Sequence, residues 1–305
     1  MALANYSDLQ AAIANYLARP GDTLVSTPAP DFIALAESRI AYGADAPFQS
    51  RPLRIRAMEA STVLITGAAQ DASTGGGTAN AQTASLPATP TLVPGFTVKF
   101  TAAASNSGAA TFNLNGLGAV AVKKGVPQAD LAAGDIVAGG AHWLYYDGAL
   151  WNLVPSGGTP LPAGFLEMRS IFLQTSPQQQ LSPVTPEIYN SSWMSSASGA
   201  PEAYLLEGDC IRFGPVPDAA YAAQMGFYRK FPALAAASTN WLMTNKPDAY
   251  LYGALLEAAI YFRFDDDAQF YFGLYRGAVE GLQSQNTADR YSGAVLQQRS
   301  GVTGP

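Results

Sequence analysis

The chain has 305 residues, 48% of them hydrophobic and 13% charged, with a net charge of −6 and a pI near 4.8. That length and apolar content exclude a disordered chain and support two domains, each with its own core. The acidic balance excludes a protein that wraps nucleic acid, which needs a dense Lys/Arg footprint; a ring through which DNA slides stays open. Charge is about half the usual ~25%, which suits a surface covered by partners or built from small polar residues. Cys210 and His142 are the sole Cys and His, so no intrachain disulfide forms and four soft zinc ligands are not available. The start, MALANYSDLQ, lacks a basic n-region and an apolar core, so no signal peptide is expected. No apolar run approaches ~20 residues, so no membrane span is expected.

The N-terminal region predicts helices. Leu9, Ala12, Ile13, Tyr16 and Leu17 form one stripe of a 3.6-residue period. Ser7 and Gln10 have capping-box spacing, and Arg19-Pro20-Gly21-Asp22 ends the element. A second helix is expected after Pro30, with Asp31 as cap and Gly43 as left-handed terminator. RPLRIRAMEASTVLI at 51–65 is strand-like at first, with Arg54 and Arg56 alternating with Leu53 and Ile55; Ala57 to Ala60 is equally compatible with helix. The Gly- and Thr-rich stretch 70–88 has the composition of a loop or linker. Its Gly75-Gly76-Gly77 lacks the spacing of a phosphate-binding loop.

From there to Val154 the pattern is β. Phe96, Val98 and Phe100 alternate, as do Phe112 with Leu114 and Val120 with Val122. Trp143 to Leu153 predicts a hairpin turning through Asp147-Gly148. Short, regularly spaced strands suggest a sandwich or small barrel, closed by Ser156 to Pro160. Strand patterns return at 166–173, 203–206, 210–213 and 225–230, read as one small antiparallel sheet. The last third is helical. Asn245 is the expected cap of a helix with Pro247 in its first turn and Leu251, Leu255, Ala258 and Phe262 on one face. Asp265-Asp266-Asp267 caps a final helix with Tyr271, Leu274, Ala278 and Leu282 aligned, which makes a helical hairpin. After Ser284 the chain is polar without a clear stripe, so 285–305 is expected to be a flexible tail.

The fold class expected is therefore α+β: a helical hairpin or bundle domain with a small antiparallel sheet, plus an inserted all-β, sandwich- or barrel-like module. The body is assigned to 1–67 and 159–305 and the insert to 68–158. An insertion of about 90 residues costs little when its ends are close, since loop closure grows by only ~0.6 kcal/mol per doubling of length.

Three blocks carry a resemblance. They are RPLRIRAME at 51–59, LPAGFLEMR at 161–169, and TNWLM at 239–243 followed by PDAYLYGALLEA at 247–258. They resemble, in order, the patterns of tailed-phage head-to-tail adaptor proteins, the head-completion or tail tubular A-like proteins of short-tailed phages. FNLNGLG at 112–118, LAAGDIVAG at 131–139 and YYDG at 145–148 are similar to β modules of tail fibres. The resemblance implies a non-enzymatic virion protein of the phage neck, assembled in the host cytoplasm, in a ring of about twelve copies. Its implied partners are the portal protein, the tail nozzle protein and tail fibres, with DNA passing through the lumen without sequence-specific binding. It implies no cofactor. It also implies a C-terminal segment reaching towards the portal, by position 285–305, with Arg290, Tyr291, Leu296 and Arg299 as candidate docking residues.

Among individual residues, Arg51, Arg54, Arg56 and Arg169 suit pairing with acids of a neighbouring subunit, or a channel wall. Exposed pairs are worth only ~0–1 kcal/mol, so they would set register more than affinity. Tyr250, Tyr261 and Tyr275 are candidates for helix-to-helix contact between subunits, because aromatic residues carry interface energy. Asp265 to Asp267 lack the spacing of a calcium loop, so no metal site is assigned. His142 has no G-x-S-x-G partner, and no catalytic residue is assigned. Glu167, Glu187, Glu202, Glu207 and Asp209 are generic carboxylates with no spacing that makes a glycosidase pair. The alternatives are a tail-fibre or receptor-binding component, motivated by the insert, and a virion-associated hydrolase.

Overall fold

The computed structural model describes residues 3–17, 23–66, 69–125, 127–154, 158–193 and 198–291. It begins with helices Tyr6–Tyr16 (α1), Thr23–Ser26 (α2) and Ala29–Tyr42 (α3). The α1 stripe is as expected, with Leu9, Ala12 and Ile13 buried, but its cap is Asn5, whose side chain accepts from Asp8 N at 3.0 Å. In α3 the helix starts before Pro30, with Pro28 at the N-cap position and no side-chain cap, and ends at Gly43 with φ +79°. Arg19 to Asp22, the expected terminator, lie outside the described residues.

The 51–55 segment is no strand. Leu53 and Ile55 do turn inward, but Leu53 N donates to Ile40 O at 2.9 Å, so the chain docks on the end of α3 instead of finding a strand partner. A 3₁₀ turn at Arg56–Met58 then leads into the first strand, Glu59–Thr66 (β1).

The glycine-rich stretch expected to be a linker is sheet: Ala69–Thr74 (β2), Gly76–Thr78 (β3) and Ala81–Ala84 (β4). Thr97–Thr101 (β5), Ala110–Leu114 (β6), Val120–Lys124 (β7), Ala129–Asp130 (β8), Ala141–Tyr146 (β9) and Trp151–Val154 (β10) complete a curled, half-barrel sheet in the order β2-β5-β9-β10-β7-β6-β4-β3, with β8 beside β7. The two ends of that order, β2 and β3, are consecutive in the chain and meet at Gly75. Gly75 N donates to Thr101 O on β5 at 2.6 Å, and a Cβ here would lie 2.7 Å from that oxygen and 3.1 Å from Thr83 O on β4. Only glycine fits where one chain leaves β5 and joins β4. The β9–β10 hairpin forms, but through Asp147 to Leu150. Trp151 pairs with Tyr146, and the Asp147 carboxylate accepts from Ala149 N and Leu150 N, which holds a four-residue turn where two were expected. Val98, Phe100, Phe112, Leu114, Leu144 and Trp151 fill the core of this sheet.

The later strands are Thr159–Pro160 (β11), Phe165–Leu173 (β12), Gln179–Gln180 (β13), Ser182–Pro183 (β14), Ala203–Glu207 (β15), Cys210–Gly214 (β16) and Tyr221–Arg229 (β17), with helix Pro186–Ser192 (α4) between β14 and β15. The single small sheet of the sequence reading is two four-stranded sheets, β1-β17-β12-β13 and β11-β16-β15-β14, and β14 pairs with β15 in parallel. Side chains from both share one core: Leu64, Ile171, Leu173, Met225 and Phe227 from the first meet Tyr204, Ile211 and Phe213 from the second.

The chain ends in helices Leu234–Ala237 (α5), Trp241–Asn245 (α6), Pro247–Phe262 (α7) and Asp265–Tyr291 (α8). Asn240 caps α6, its side-chain Oδ1 accepting from Met243 N at 3.0 Å, while Asn245, the expected cap of the Pro247 helix, is instead the last residue of α6. Pro247 opens α7 without a side-chain cap. Leu251, Leu255 and Ala258 are buried as expected, but so are Tyr250, Ala254, Leu256 and Ala259, the pattern of a central helix covered on most sides. Arg263, in the left-handed region at φ +59°, stops α7. On α8 the buried row is Ala268, Tyr275, Val279 and Leu282; of the expected stripe only Leu282 lies in it, while Tyr271, Leu274 and Ala278 are half-buried. The helix continues past Ser284 to Tyr291, so the first part of the expected tail is helical.

The chain divides into two compact units, residues 1–59 with 230–305, and residues 60–229. The first contains α1 to α3 and α5 to α8; the second contains the strands and α4.

Candidate functional site

In the helical unit, three charged groups do structural work. Arg39 on α3 contacts Glu257 on α7 at 2.7 Å with side chains only 10% and 11% exposed, and its Nη1 also donates to Phe48 O at 2.9 Å. Glu37, also on α3, accepts from Leu234 N at 2.7 Å at the start of α5. Burial raises the Glu37 carboxyl above its ordinary range, against the lowering effect of that hydrogen bond and of Lys230. A carboxyl so raised favours the fold when protonated; that stability is full below the ordinary glutamate range and is lost as pH rises through the raised value. Glu37→Gln is therefore expected to raise Tm at neutral pH, with the gain vanishing in acid. Thermal melts stepped through pH check this, and a lower Tm at neutral pH would show that attraction to Lys230 outweighs burial.

The sequence-nominated residues separate into core and surface. Tyr250 and Tyr275 are 2% and 0% exposed. The Tyr250 hydroxyl accepts from Asn240 Nδ2 at 2.8 Å, and burial pushes its phenol far above the usual range. Burial pushes Tyr275 up to about 12, with its hydroxyl beside Ser50. Both rings hold helices of one chain together and present no surface to a second copy. Tyr261, by contrast, is 63% exposed. Arg54 donates to Ala41 O at 2.9 Å and to Leu53 O at 2.8 Å, so it serves the carboxyl end of α3, where a cation is favoured. Arg51 is exposed on an open groove of ≈970 Å³ between the 42–52 segment and α8. Arg56 edges a separate hollow of ≈400 Å³. Arg169 belongs to the other unit, on β12, with its guanidinium 5.5 Å from the Tyr228 ring centre. Arg290 and Tyr291 are the last described residues of α8, and Leu296 and Arg299 lie outside the described residues.

Sequence reasoning missed the hollow; of the exposed rings it nominated Tyr261, and Phe264 and Phe270 are exposed as well. Ile55, Ala57, Trp241 and Leu282 give the hollow apolar walls, and Arg56 and Lys246 give it a basic rim. At the α7–α8 turn, Tyr261, Phe264 and Phe270 are 63%, 39% and 62% exposed beside the acidic first turn Asp265 to Asp267. The signal for the patch was the density of rings at 261–272; nothing in the spacing said which of them faced out.

In the strand unit, His142 Nε2 lies 3.0 Å from Val137 N and 3.2 Å from Val137 O, in a loop contact. Cys210 is buried against Tyr145, Val154 and Trp143, and burial, with Asp209 and Glu207, pushes its thiol up to about 12. A thiol held protonated is a poor nucleophile. Glu207 pairs with Arg212 at 3.0 Å, while Glu167 lies exposed on β12, Glu187 in α4 and Glu202 exposed before β15. No group of three or more His, Cys, Asp or Glu among the described residues could hold a metal ion, and no described helix is long and apolar enough to cross a membrane. Further contacts tie the half-barrel to its neighbours: Tyr145 OH donates to Ile65 O on β1 at 3.4 Å, and Thr159 and Pro160, expected to close the β module, pair with Ile211 and Cys210.

Exposed rings, a walled hollow and charges used for packing are the features that the helical unit offers for contact. The family model described as SU10 adaptor protein matches residues 132–299, more than half of the chain. The chain belongs to this family and is a phage adaptor-type structural protein of the virion neck. The match begins inside the half-barrel and runs through both units, while the 51–59 block lies upstream of it. No curated protein matches the chain.

Proposed function

We propose that the chain forms a ring, of about twelve copies, that joins the portal protein to the tail nozzle and extends the DNA channel without sequence-specific contact to DNA. The observation that carries this reading is the adaptor family match over 132–299. The low charge content supports it, because a surface meant to be covered has little need of charge. In this reading residues 1–67 and 159–305 are the adaptor body, with α7 and α8 as a helical hairpin, and 68–158 is an inserted module that offers tail fibres a platform. The module's own core around Phe100, Phe112 and Trp151 supports a folded platform able to carry that second task. The end of α8 and the residues after it, with Arg290, Tyr291, Leu296 and Arg299, are the segment proposed to reach the portal.

Mixing the chain with the portal protein of the same genome tests this. Co-elution of the two in one large complex is expected on size-exclusion chromatography, and truncation after Ser284 is expected to reduce portal capture at least tenfold. A chain that elutes apart from the portal at all salt concentrations contradicts the reading.

A further inference from the structure

The aromatic patch and the basic hollow lie at opposite ends of the same helix. Phe264 precedes α8, and Leu282 floors the hollow near its other end. Phe264 and Leu282 are 18 positions apart, about 27 Å at 1.5 Å per residue, and Phe270 is 12 positions, about 18 Å, from Leu282. They cannot meet within one chain. They are complementary in charge: Phe264 directly precedes Asp265, Asp266 and Asp267, which outnumber the neighbouring Arg263, and Phe270 lies one helical turn beyond Asp266, while Arg56 and Lys246 line the hollow with its apolar walls.

We infer that the acid-edged aromatic patch of one copy seats in the basic-edged hollow of the next. The occupant is a second copy of this chain, and charge complementarity selects it. Different surfaces meet in this contact, so it is head-to-tail and closes into a ring when the rotation per copy permits. The rings supply the apolar anchor in a walled pocket, as interface energy is usually concentrated, and the charges fix register and suppress head-to-head pairing. The inference rests on the ring reading above and specifies its interface.

Charge exchange in the full-length protein tests it. Asp266→Lys with Asp267→Lys makes the patch basic; Arg56→Glu with Lys246→Glu makes the hollow acidic. Phe270→Ala, at a ring 62% exposed, removes an anchor with little demand on the fold. By sedimentation velocity and native mass spectrometry, each charge-reversed chain alone is expected to lose self-association at least tenfold, and Phe270→Ala to weaken it. An equimolar mixture of the two reversed chains is expected to restore it, because each patch then meets a hollow of opposite sign. Recovery in the mixture also shows that both variants are folded. A ring unaffected by these changes, a mixture that fails to recover, or a wild-type chain monomeric at the highest soluble concentration overturns the inference. The adaptor reading is judged separately, by capture of the portal.

Discussion

Trp151→Ala is expected to destabilise the strand unit by about 3–5 kcal/mol, the usual cost of removing a large buried aromatic side chain. Trp151 is fully buried. Its ring meets Phe112 edge-on at 5.4 Å, Tyr146 at 5.1 Å and Phe96 at 6.4 Å. Its backbone sits between two partners, paired in parallel with Val122 on β7 and antiparallel with Tyr146 on β9. The curled sheet cannot collapse onto the vacated volume without shifting strands on both sides, which places the cost towards the upper part of that range. Hydrogen exchange is the suitable measurement, because two units need not unfold together. Protection is expected to fall across β5, β6, β7 and β9 while α7 keeps its own. A loss under about 1 kcal/mol would mean that the half-barrel core is not organised around this ring.

The second large effect belongs to the helical unit. Glu257→Ala leaves Arg39 in a space only 10% open to solvent, with Phe48 O as its remaining acceptor among the described residues. Stranding one member of a buried pair costs ~3–5 kcal/mol, and the residual exposure places the expected value near ~3 kcal/mol. The double change Arg39→Met with Glu257→Met removes both charges and is expected to recover most of that loss, since the pair's attraction largely offsets its desolvation. Denaturant unfolding followed by far-UV circular dichroism reads both. Equal losses in the single and double variants would show that the pair stabilises α3 against α7 by more than charge balance.

These two sites also show what the sequence could and could not disclose. Phe96, Val98 and Phe100 announced their strand by alternation, and Asp147-Gly148 announced a reversal, because those signals are local. The strands of 69–84 were illegible for the opposite reason. Small residues carry no apolar period there, and their strand state comes from Thr97, Thr101 and Thr111, residues up to 30 positions away. The α8 stripe shows a different limit: with apolar residues at 268, 270, 271, 272, 274, 275, 278, 279 and 282, several rows satisfy a 3.6-residue period, and only tertiary packing selects Ala268, Tyr275, Val279 and Leu282. That ambiguity carried over to the site. Tyr250, Tyr261 and Tyr275 were equivalent as residue types, yet the structure buries two and exposes one. The arginines divide similarly, since Arg54 donates to the Ala41 carbonyl at the end of α3 and to Leu53 O, partners that no spacing rule anticipates. The Arg39–Glu257 pair spans 218 positions and left no local trace.

The most direct test of the adaptor account is negative-stain electron microscopy of the chain mixed with the portal protein of the same genome. The account predicts closed rings stacked coaxially on one face of the portal, with peripheral density that disappears when residues 68–158 are replaced by a short linker. Bare portals beside unassembled chains, across low and high salt, would contradict it.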